Sequence, residues 1–64
     1  MSRIQIPENA GSEFHILIAR AGNYAVSNNK TGKNKVFIPC RDREQAEGLL
    51  RKLNEKDHDG EIWV

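Results

Sequence analysis

A small α+β domain, one amphipathic helix laid on a mostly antiparallel sheet of three to four strands, is what this chain predicts, and three observations predict it. Ala46, Leu49, Leu50 and Leu53 recur at i, i+3, i+4 and i+7, one stripe of a 3.6-residue period. Ahead of that stripe lie three runs of strand-like composition separated by Gly/Asn turns, and behind it an Asp-Gly turn leads into Glu61–Val64. With 64 residues and a single cysteine, the chain has room for one core and no internal disulfide. One domain over 1–64, in strand, strand, strand, helix, strand order, follows.

Ile4 and Ile6 alternate with polar neighbours up to Pro7, so residues 1–12 read as an edge strand or a docked arm with a polar loop behind it. Phe14 to Arg20 is apolar on both parities, with Phe14, Ile16 and Ile18 against His15, Leu17 and Ala19, which argues for a central strand. Ala21-Gly22-Asn23 turns the chain into a second and more exposed strand, Tyr24 to Asn28. The run Asn28 to Asn34 is rich in turn formers and reverses it again into Lys35 to Cys40, which Pro39 ends or confines to an edge.

The helix is expected over Asp42 to Asn54. Asp42 suits the N-cap, Gln45 stands at the capping-box position, and Glu44 and Glu47 suit the positive end of the helix dipole. Arg51, Lys52 and Lys56 gather where cations suit the other end. Gly48 costs roughly 1 kcal/mol relative to Ala, and a close approach of the sheet is the expected reason for it. One helix can cover one sheet face only. If His15, Leu17, Ala19, Ala25, Val36 or Ile38 occupy the other, an apolar patch is left, and such patches mark association.

Net charge is +1 but unevenly spread. Residues 20–43 carry Arg20, Lys30, Lys33, Lys35, Arg41 and Arg43 against Asp42 alone, whereas 44–64 are net acidic. Arg20, Lys30, Lys33, Lys35 and Arg41 are therefore the candidate contacts to nucleic-acid phosphates, with the hairpin around 30–35 at their centre. A solvated turn explains the same lysines, because nucleic-acid modules carry a larger basic excess and Tyr24 is the one sheet aromatic placed to stack a base.

In outline, Asn23 to Leu53 resembles the three-stranded DNA-binding domains of the plant AP2 type and of phage integrase N-terminal arms. The Gly22-Asn23-Tyr24 turn and the Arg43-Glu44-Gln45-Ala46-Glu47 helix start carry that likeness. The sheet lacks the rows of Arg and Trp with which those families read DNA, so it is an analogy of shape.

Chemical motifs are sparse. Cys40 precedes a helix start and lies beside Arg41 and Arg43, a setting that favours a thiolate, yet position 46 is Ala where a phosphatase loop needs Arg, and only His15 and His58 exist as partners. A buried structural cysteine is the simpler reading. Glu55, Asp57 and Asp59 alternate before Gly60 as the front of a calcium loop would, but the chain ends before the twelfth ligand position, and a polar Asp-Gly turn is the simpler reading. One His among them is too few for a transition metal. Ile62-Trp63-Val64 has the pattern that carboxylate-capturing grooves accept, but a closing strand beside a Gly turn is the simpler reading. Gly32-Lys33-Asn34 lacks the remainder of a phosphate loop.

No cofactor, small-molecule substrate or catalytic pair is implied. The expectation is a non-enzymatic protein-interaction module, a homodimer through the uncovered sheet face or an edge strand, with weak nucleic-acid binding as the alternative. With a lone cysteine, no membrane-length apolar run and no secretion leader in MSRIQIPENAG, a cytoplasmic setting is the expectation, where the Asn29-Lys30-Thr31 sequon would be idle.

Overall fold

The computed structural model describes residues 3–63. The α+β architecture is present: β1 (Arg3–Gln5), β2 (Phe14–Ile18), β3 (Tyr24–Asn28), β4 (Phe37–Cys40), α1 (Arg43–Asn54) and β5 (Glu61–Trp63), with one 3-10 turn at Gly32–Asn34. β2, β3 and β4 form an antiparallel meander with β3 in the middle. The last strand does not join that sheet: β5 pairs antiparallel with β1 as a separate ribbon, Ile4 opposite Ile62. Val64, expected to end β5, lies outside the described residues.

Two strand assignments reverse. The expected central strand, β2, is an edge, and the strand expected to be more exposed, β3, is the centre, with Ala25, Val26, Ser27 and Asn28 all buried. Connectivity decides this over composition, because a meander of two short turns puts its second strand between the other two.

α1 covers one face of the sheet. Ala46, Leu49 and Leu53 meet Phe14, Val26, Val36, Ile38 and Cys40, with Ile16, Tyr24 and Leu50 at the margins. Ile62 completes the same core, and Ile4 and Ile6 pack against it. Val36 and Ile38, among the residues expected on the uncovered face, therefore belong to the core; Val26 points to the helix, and its cross-strand partner Ile38 must do the same. The Asp42 carboxylate accepts the Gln45 N–H at 2.8 Å, and Gln45 Oε1 accepts the Arg41 N–H at 2.8 Å, a capping box displaced by one residue. That hydrogen bond from Gln45, ahead of Arg41, holds the Asp42 carboxyl below its ordinary value. Gly48 is not a point of close approach: it is exposed, and a Cβ there would meet nothing within 4 Å.

Two asparagines join the layers. Asn28, only 1% exposed, donates from Nδ2 to the Ala10 and Asn34 carbonyls, each at 2.9 Å, and accepts the Val36 N–H at Oδ1 at 2.9 Å. Asn54, the last helical residue, accepts the Phe14 N–H at 2.7 Å and donates to the Phe14 carbonyl at 3.2 Å. Its side-chain amide thus does for Phe14 what a neighbouring strand would do.

Candidate functional site

The face of the sheet opposite α1 has no cover. Ladder alternation places His15 and Leu17 of β2, Ala25 and Ser27 of β3, and Phe37 and Pro39 of β4 on it. Ser27 is fully buried between His15 and Phe37, and its hydroxyl is satisfied by donating to the Val36 carbonyl at 2.8 Å. Toward the β2–β3 turn the face opens into a groove of about 440 Å³ lined by Leu17, Ile18, Ala19, Asn23, Tyr24, Ala25, Phe37 and Pro39. The lining is apolar apart from Asn23 and the Tyr24 hydroxyl.

Exposure singles out three of these side chains: Ile18 is 70% exposed, Phe37 56% and Leu17 39%. Leu17, Ala19 and Ala25 were legible from β2 and β3 parity. Phe37 and Pro39 were not, although a signal existed: once Ile38 is set opposite Val26, its two neighbours must face outward. Trp63, 57% exposed on β5, stands apart from the groove, on the other sheet.

The five basic candidates are not brought together. Lys30, Lys33 and Lys35 sit on the β3–β4 connection at one end of the meander. Arg20, on the β2–β3 turn, and Arg41, just past β4, sit at the other. The four residue steps of β3 that separate the two ends span roughly 13 Å at about 3.3 Å per residue. Lys35 Nζ is engaged by the Asn28 carbonyl at 3.2 Å, and Arg41 Nε pairs with Asp42 at 3.4 Å. Among the described residues, the other ion pairs, Arg3–Glu61, Arg43–Glu47 and Arg51–Glu55, lie at the surface and contribute little.

Cys40 is buried against the core and its thiol donates to the Ile38 carbonyl at 3.4 Å. Burial first, and then the Asp42 charge, push its pKa up. The flanking arginines do not reverse this, since Arg41 and Arg43 are exposed and paired with Asp42 and Glu47. The environment that looked thiolate-favouring in the sequence keeps the thiol protonated.

Glu55, Asp57 and Asp59 follow α1 on an exposed turn, where His58 Nδ1 accepts the Gly60 N–H at 3.1 Å. Among the described residues no three His, Cys, Asp or Glu side chains converge as metal ligands. No described helix is long and apolar enough to cross a membrane. No family model matches the chain, and neither a curated protein nor a solved structure matches it.

Proposed function

We propose that this chain is a non-enzymatic protein-interaction module that associates with a second copy of itself through the apolar face or the edge strand of the sheet that α1 leaves open. The observation that carries the reading is the apolar groove with Ile18, Leu17 and Phe37 exposed on a 64-residue domain. Apolar surface left in water on so small a domain is stabilised by association: covering it removes it from water at roughly 25 cal/mol per Å². A reducing cytoplasmic setting suits a fold that relies on no disulfide.

Nucleic-acid binding by Arg20, Lys30, Lys33, Lys35 and Arg41 has less support, because the cations divide between two ends of the sheet and two of the five are already engaged. Sedimentation equilibrium from low micromolar to high micromolar concentration tests the leading reading. A weight-average mass rising toward two chains is expected; a single-chain mass throughout would overturn it.

A further inference from the structure

The two edges of the main sheet differ in how they are protected. Pro39 lies on β4 at a position whose N–H would point outward, since Val36, two and four residues before the inward-facing Ile38 and Cys40, donates its N–H toward β3. That edge has lost a donor at no cost to the ladder. β2 carries no proline and no charged residue within Phe14–Ile18. Its Ala19 N–H bonds inward to the Asn23 carbonyl at 2.9 Å, so by alternation the N–H and C=O of Phe14, Ile16 and Ile18 point away from β3. Asn54 takes both groups of Phe14. β2 pairs with β3 alone, which leaves the outward groups of Ile16 and Ile18 as a short unguarded edge.

Resting on the reading of the chain as a self-associating module, we infer that the second copy docks edge to edge, β2 against β2 in antiparallel register about a two-fold axis between the two Leu17 residues. This register sets Ile16 opposite Ile18 of the second copy and Ile18 opposite its Ile16, and it pairs every outward N–H and C=O that the edge leaves open. It also explains the most exposed apolar side chain: Ile18 lies on the helix-side parity beyond the reach of α1, and the side chain set opposite it is Ile16, already packed at the margin of the core. The two Leu17 side chains meet on the open face. Pairing stops where Asn54 begins, because β2 ends at Ile18 and the chain then turns toward β3. The run Ile16-Leu17-Ile18 reads the same in both directions, so pairing with a second copy sets an apolar side chain opposite each apolar side chain. The product is a six-stranded sheet with both open faces on one side.

Cross-linking and amide exchange, read beside the mass, test the register. At the axis the Leu17 pair is of the non-hydrogen-bonded kind, with Cα atoms about 4.5 Å apart, inside the roughly 4.4–6.8 Å that a disulfide bridges. The two Phe37 residues would be separated by five strand spacings of about 4.8 Å, roughly 24 Å. Leu17→Cys is therefore expected to give a covalent dimer on mild oxidation, whereas Phe37→Cys, and the wild type with Cys40 buried, do not. The Ile16 and Ile18 amides are expected to exchange at least tenfold more slowly at high concentration than at low, a readout that needs no substitution. A dimeric mass with cross-linking at Phe37→Cys and concentration-independent exchange at Ile16 and Ile18 would overturn the edge register and leave face-on association standing. Slowed exchange at Ile16 and Ile18 only on adding another protein would overturn the second copy as occupant, and a single-chain mass throughout would remove both readings.

Discussion

Removing the Asn28 carboxamide would strand three groups, the Val36 N–H and the Ala10 and Asn34 carbonyls. A buried polar group left unsatisfied costs about 1–3 kcal/mol. Asn28→Ala is therefore expected to lower the unfolding free energy by about 3 kcal/mol, a large share of the roughly 3–10 kcal/mol that a chain of this size commands. Urea denaturation measures it as a fall in midpoint. Asn28→Asp should be no milder, since it replaces the donor that both carbonyls face with an acceptor. In the sequence this residue reads as the first turn former of NNKTGKN; its partners are 6, 8 and 18 positions away, and nothing local announces them. Cys40 carries a second expectation. Its pKa is raised in the folded state, so the fold binds that proton more tightly than the unfolded chain does. The resulting stabilisation is complete below the ordinary thiol value of 9.0 and is lost as pH rises through the folded value. Denaturation midpoints should fall with pH above about 9 in the wild type and fall less steeply in Cys40→Ala; equal slopes would contradict the assignment.

α1 was the most legible element, because its signals are local: an apolar stripe, a capping aspartate, and charges ordered along the dipole. Its one misread position makes a sharp test. Gly48 is exposed with open space where a Cβ would stand, so Gly48→Ala is expected to raise the unfolding free energy by about 0.5–1 kcal/mol and to raise the melting temperature, measured by circular dichroism. A destabilised variant would mean that the glycine serves a contact rather than being merely tolerated. The strands were legible as strands, yet their places were not. FHILI looks central by composition, but order in a meander follows connectivity, and its apolar surplus is left at an edge. The partnership of β5 with β1 was invisible for a related reason. Two three-residue strands at opposite ends of the sequence carry too little pattern to reveal which neighbour each will choose.

At the scale of the whole molecule, folding and association should be linked. If the pair is more stable than its parts, the thermal midpoint rises with protein concentration by mass action. Differential scanning calorimetry over a hundredfold concentration range is expected to show that rise in the wild type and not in Leu17→Glu, which sets two like charges against each other at the axis. A midpoint independent of concentration in both proteins would separate the fold from any assembly. The same scale exposes how tightly α1 is specified in length. Asp42 fixes its start, and Asn54, the last of its twelve residues, must arrive beside Phe14 with its amide edge-on. Inserting one residue would carry Asn54 about 1.5 Å along the axis and about 100° around it. The Phe14 backbone would then lose its surrogate neighbour, and the open edge of β2 would lengthen toward the loop that Asn28 anchors. The helix therefore acts as a ruler: its residue count sets how much of the sheet's margin is left open, and a single insertion or deletion there would change the length of that open edge without altering any residue in it.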